Sequence, residues 1–167
     1  MSYERSTSSS EPHRPASSAW AAAAKRWLPV FLWAAFISWF SSDAFSARST
    51  NSYIDPVLRS LFGDLTPAGF RLAHSVIRKS AHLIEYAILG GLIYRAISAP
   101  SAPFSRAAAL RALAYCAAYA VLDEAHQAFV PSRTGSGVDV LIDTAGAAFG
   151  TLVFARCRRG RGTKPAQ

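Results

Sequence analysis

The chain is 167 residues long, 51% hydrophobic, with a mean hydropathy of +0.16 and a formal net charge of +8. That length holds one domain, and the cysteines, Cys116 and Cys157, fit neither a disulfide framework nor a metal-ligand spacing. The basic residues cluster beside apolar runs, which suits anionic lipid and cytoplasmic flanks, and no nucleic-acid motif is present, so a nucleic-acid partner is excluded.

Residues 1–24 are rich in Ser, Pro and Ala without an apolar period and are expected to form a disordered cytoplasmic tail. Lys25 and Arg26 precede the run from Trp27 to Phe40, which carries tryptophans near both ends as interfacial anchors. Extended through Ser41 and Ser42, it reaches the minimum of about 17 residues for a span. A cleaved signal peptide is the competing reading, because Ser42-Asp43-Ala44 loosely matches a cleavage site; the long leader of mixed charge argues against it.

From Asp43 to Leu65 the chain is Ser-rich and mixed in charge, with a short amphipathic piece over 55–64. Thr66-Pro67 reads as a helix start, a capping hydroxyl followed by proline at the first helical position. No breaker follows until Pro100, although Gly90-Gly91 weakens the helix. Its first half is amphipathic, with His74 expected to be exposed, and Ala81 to Ser98 is apolar enough to cross a bilayer. Arg106 and Arg111 flank the next helix, whose stretch from Arg111 to Pro131 is long enough for one hydrocarbon thickness of about 30 Å. The last helix, Val138 to Ala155, holds Gly146 and Gly150 in a small-xxx-small spacing that favours close helix packing. A basic cytoplasmic tail, 157–167, is expected to fray.

The expected fold is therefore all-α: a four-helix transmembrane bundle over 25–156, with an amphipathic extension before the second span. Placing both termini and the 99–110 loop inside puts Lys25, Arg26, Arg95, Arg106, Arg111 and the basic tail on the cytoplasmic side, as the positive-inside rule prefers. In that topology Lys79, His82, Glu85, Asp123, Glu124, Gln127, Arg133, Asp139 and Asp143 fall at one depth, in the outer third of the membrane. Lys79, His82, Glu85 and Tyr86 share one helix face, and Asp139, Asp143, Gly146 and Gly150 another. His126 points away from Gln127 and is assigned to the interface. Ionisable groups inside a membrane are costly and usually mark a functional site, so these residues are the candidate ligand-binding set. An inert network is the alternative, in which Arg133 clamps Asp139 or Asp123 and Lys79 or His82 satisfies Glu85. No ligand spacing is diagnostic of a metal, and no metal or cofactor is assigned.

Ser41 and Ser42 at the end of the first span, His82-x-x-x-Tyr86 with Glu85 inside it, Glu124-x-x-Gln127, Pro131-x-Arg133, Asp139, and Gly146-x-x-x-Gly150 together resemble the VanZ-like family, named for a teicoplanin-resistance protein. One departure stands out: Asp143 occupies a position where the family usually has Asn. The resemblance implies a small multi-pass plasma-membrane protein tied to cell-envelope biology or glycopeptide resistance, with no established catalytic mechanism. Three readings follow. In the first, an outward-facing pocket binds an envelope lipid or lipid-linked precursor, with Arg133, Lys79 and His82 meeting an anion and Glu124, Asp139 and Asp143 orienting those cations. In the second, an intramembrane hydrolase or transferase uses His82 with Glu85, or Glu124 with Asp139, as an acid and base pair. In the third, the Gly146 and Gly150 face docks a membrane-protein partner.

Overall fold

The computed structural model describes residues 16–42, 47–63, 65–98, 103–130 and 135–161. Among them are five helices and no strand: α1 (Ala16–Phe40), α2 (Ala47–Phe62), α3 (Pro67–Ile97), α4 (Arg106–Ala128) and α5 (Gly137–Arg161). The all-helical expectation holds, and the bounds differ in instructive ways. Helix α1 starts at Ala16, inside the stretch expected to be disordered, because residues 21–24 are four consecutive alanines, the strongest helix formers. Helix α5 runs on through Arg161, where a frayed tail was expected.

Capping sets the middle helices. The Thr66 hydroxyl accepts from the Gly69 backbone N–H at 3.2 Å with Pro67 following, as the sequence suggested, and the Ser105 hydroxyl does the same for Ala108 at 3.2 Å. Helix α3 has 31 residues and is unbroken at Gly90-Gly91, so at 1.5 Å per residue it is about 46 Å long. That is longer than the roughly 30 Å of a hydrocarbon core.

Cross-helix contacts fix the register. The Arg26 guanidinium donates to the Ser98 carbonyl, Trp33 Nε1 to the Glu85 carbonyl at 2.9 Å, and the Tyr119 hydroxyl to the Ala34 carbonyl at 2.6 Å. Helix α1 is therefore antiparallel to α3 and parallel to α4. Tyr94 packs against Phe104 and Phe154 with ring centroids 6.2 and 6.4 Å away, so the end of α3 meets the start of α4 and the end of α5. Helices α3 and α5 run side by side in the same direction and form the most extensive contact in the bundle. Glycine makes that approach possible: a Cβ at Gly146 or Gly150 would overlap the carbonyl of Leu83 or Ala87, and one at Gly90 would overlap the Ala147 backbone. Helix α4 contributes a stripe of small buried residues, Ala108, Ala112, Cys116 and Ala120. Small side chains at i, i+4 spacing let it lie close to its neighbours.

Helix α2 lies beside the start of α3. His74 is half-buried there, with its Nε2 2.6 Å from Asp55 Oδ1, and the Arg59 guanidinium sits 4.8 Å over the Phe70 ring. The expected exposure of His74 is thus corrected by a partner on a helix longer than the amphipathic piece read from sequence.

An apolar core that includes Val30, Ile37, Leu89 and Ile93 lies inside the bundle, yet large apolar side chains also cover its outside and charged ones are buried. Leu28, Phe31, Leu32, Ile84, Ile88, Leu110, Tyr115, Leu122, Leu141 and Phe149 are exposed, whereas His82, Asp123, Glu124, Gln127, Asp139 and Asp143 are buried.

Candidate functional site

The buried polar groups gather at one end of the bundle, where α1 and α4 finish and α5 begins. The Ser41 hydroxyl, just past α1, donates to Asp123 Oδ2 at 2.9 Å. Gln127, one turn further along α4, donates from Nε2 to the same Asp123 oxygen at 2.9 Å and to Ser41 Oγ at 3.2 Å. Its Oε1 accepts from Arg78 Nη2 at 2.9 Å, so both ends of a fully buried amide are engaged.

Asp139, in the first turn of α5, forms the second knot. Lys79 Nζ donates to its Oδ1 at 2.7 Å, and Arg78 Nη2 lies 3.3 Å from Oδ2. The Asp139 side chain is 6% exposed, while those of Arg78 and Lys79 are 36% and 40% exposed, so the cations form a rim over a buried carboxylate. A carboxylate is also favoured at a helix N-terminus. Deeper in, His82 Nδ1 lies 3.2 Å from Asp143 Oδ1.

Glu124 closes the arrangement. Its Oε2 accepts the Ser136 backbone N–H at 2.6 Å, which ties the start of α5 to the end of α4. Its Oε1 is buried without a hydrogen-bond partner, as are Asp143 Oδ2, Tyr86 Oη and Arg78 Nε. Donor atoms of His82, Glu124 and Asp139 all lie within 4.8 Å of one another, and all three residues are buried.

Of the residues singled out from sequence, Lys79, His82, Asp123, Glu124, Gln127, Asp139 and Asp143 meet here. Tyr86 is fully buried one turn inward, with its ring 6.2 Å from that of Tyr119. Glu85 is half-buried, and its carbonyl is the acceptor for Trp33. Arg133 and Pro131 lie outside the described residues. His126 is exposed, in keeping with its assignment away from the cluster. Lys79 meets Asp139 and His82 meets Asp143, contacts that the sequence did not foresee, because α5 lies close enough to α3 to present its acids to them. Sequence reasoning passed over Arg78, Ser41 and Ser136 as site residues. Arg78 stands four residues before His82, a spacing that puts both on one face and could have drawn it in.

The sequence profile of the VanZ/LLP1 family matches residues 26–158, which takes in every residue of this cluster. The chain belongs to the VanZ/LLP1 family. No curated protein and no solved structure matches it. VanZ proteins are generally membrane proteins, and one helix among the described residues, Gly137–Arg158, is long and apolar enough to cross a membrane, with a mean hydropathy of 1.6. The other helices carry their ionisable groups within the stretches that would have to cross, His82, Glu85 and Arg95 in α3 and Arg111, Asp123 and Glu124 in α4, which lowers their average hydropathy.

Proposed function

We propose that this VanZ-family chain is a four-span plasma-membrane protein whose polar end faces outward and binds the anionic headgroup of an envelope lipid or lipid-linked precursor. Through that ligand it would act in cell-envelope biology, the setting of the family's link to glycopeptide resistance. The observation that carries the reading is the placement of polarity: three helices, α3, α4 and α5, hold acids, a histidine and an amide inward while Leu, Ile and Phe of the same helices face out. Lipid satisfies that exterior, and a bundle interior is where membrane-embedded ionisable groups belong.

Orientation follows from the arginines. Arg26, Arg95, Arg106, Arg111 and Arg156 lie toward the end opposite the site, which supports a cytoplasmic assignment for that end under the positive-inside rule. Helix α2, with Val57, Leu61 and Phe62 exposed along one stripe, lies in the outer interface with that stripe toward lipid. At the rim, Arg78 and Lys79 offer donors to a phosphate or carboxylate, and Asp139 keeps them in place until an anion exchanges with it.

Native mass spectrometry of the detergent-purified protein tests this. The wild type should retain an anionic lipid, and Arg78→Ala with Lys79→Ala should lose it in a manner steeper at low salt; Arg133→Ala, between α4 and α5, should act in the same direction. Retention of the same lipid by the double variant at low and high salt overturns the reading.

A further inference from the structure

We propose that His82, Glu124 and Asp139 form a binding site for a divalent first-row transition ion, with Zn²⁺ the preferred occupant. Three helices, α3, α4 and α5, each supply one ligand-type side chain, and the three donor atoms fall within 4.8 Å of one another. At Zn–N and Zn–O distances of about 2.0–2.2 Å, tetrahedral donors stand roughly 3.3 Å apart, so side-chain rotations of about 1 Å close the site without moving a helix.

An independent observation supports a cation-binding role. Glu124 is 95% buried by residue and its Oε1 has no hydrogen-bond partner, while Asp143, fully buried, leaves Oδ2 unpartnered. A buried carboxylate oxygen without a partner is costly, and a metal ion satisfies it directly. The other Glu124 oxygen is held by the Ser136 N–H, which fixes the carboxylate in place and leaves Oε1 as the ligand atom.

The neighbour of His82 supports the assignment. His82 Nδ1 lies 3.2 Å from Asp143 Oδ1, and a proton held on Nδ1 by that carboxylate leaves the ring's lone pair on Nε2. A carboxylate behind a histidine is the usual outer-shell arrangement at metal-bound imidazoles, where it fixes the ring and raises its basicity. One nitrogen and two carboxylate oxygens suit Zn²⁺ or Mn²⁺ better than the all-oxygen demands of Mg²⁺ and Ca²⁺, and affinity rises from Mn²⁺ toward Zn²⁺. The local charge agrees: Asp123, Glu124, Asp139 and Asp143 are buried at this end of the bundle, and the described cations Arg78 and Lys79 both meet Asp139. Lys79 and Arg78 hold Asp139 in the metal-free protein, and both side chains are exposed enough to swing out when an ion takes their place.

The test uses untagged, full-length protein carrying Cys157→Ser and His126→Ala, stripped of lipid and treated with a chelator, then titrated with Zn²⁺ alone. One equivalent should bind. Co²⁺ in place of Zn²⁺ should show ligand-field bands and an X-ray absorption shell of nitrogen and oxygen donors without sulfur. The isosteric Glu124→Gln and Asp139→Asn should each abolish stoichiometric binding, and Asp143→Asn should weaken it by about 10–100-fold. Absence of a stoichiometric ion in wild type, or wild-type affinity in both ligand variants, overturns the proposal. Should a ligand variant not purify as the wild-type species, the Co²⁺ spectrum of the parent protein still decides, since water-only coordination also overturns it. Because no lipid is present, ion binding and headgroup binding stand or fall separately.

Discussion

At the scale of single residues, Gln127 is the most exacting position in the bundle. Its amide is fully buried, accepts from Arg78 and donates to Ser41 and Asp123, so Gln127→Ala takes an acceptor from Arg78 and a donor from both Ser41 Oγ and Asp123 Oδ2 at once. Each buried group left unsatisfied costs about 1–3 kcal/mol. Thermal unfolding in detergent should show Gln127→Ala as strongly destabilised; a melting temperature within error of wild type would mean water replaces the amide. Asp143 behaves in the opposite way. Asn at that position, the residue usual in the family, still accepts from His82 Nδ1 while removing a buried charge, and replacing a buried ion by a neutral group is often neutral or stabilising. In chelator-treated protein Asp143→Asn should therefore melt at or above the wild-type temperature, and a large fall would show that the negative charge itself holds the fold.

At the scale of elements, the glycines on α3 and α5 are not equivalent. A Cβ at Gly150 would collide with the backbone carbonyl of Ala87, whereas one at Gly91 would sit 3.5 Å from the Gly150 carbonyl, an ordinary contact. Gly150→Ala should cost about 1–3 kcal/mol or more, because a rigid backbone atom has to move. Gly91→Ala should be neutral or gain up to about 1 kcal/mol from helix propensity. Equal melting temperatures for the two variants would contradict the close α3 to α5 approach. The same approach has a further consequence: the Gly146 and Gly150 face is covered by α3 within the chain, so a membrane-protein partner would use another surface.

At the scale of the whole molecule, orientation is the main open quantity, and the chain contains its own probe. Cys157 is exposed near the arginine-rich end while Cys116 is buried. A membrane-impermeant maleimide should leave Cys157 unlabelled in intact cells and label it after permeabilisation, whereas Ser136→Cys in a Cys157→Ser background should react from outside. The reverse pattern would put the polar site in the cytosol and end the envelope reading. Resistance to alkaline carbonate extraction checks the membrane assignment independently of its direction.

Local rules made much of the architecture readable. Thr66-Pro67, the small-residue spacing of Gly146 and Gly150, and the placement of arginines away from the acids are all decided within a few residues, and α3, α4 and α5 could be drawn from them. Phase along a helix likewise put Lys79 with His82, and Asp139 with Asp143, on common faces, because 3.6 residues per turn leaves little freedom. The start of α1 was misread because Ser and Pro in the leader masked the helix-forming alanines. Pairing across helices was decided by tertiary structure alone. Whether Lys79 meets Glu85 or Asp139, and whether Glu124 and His82 come within reach of one ion, depends on ångström-level separations between helices far apart in sequence. Those separations are set by where glycine lets one backbone lie against another.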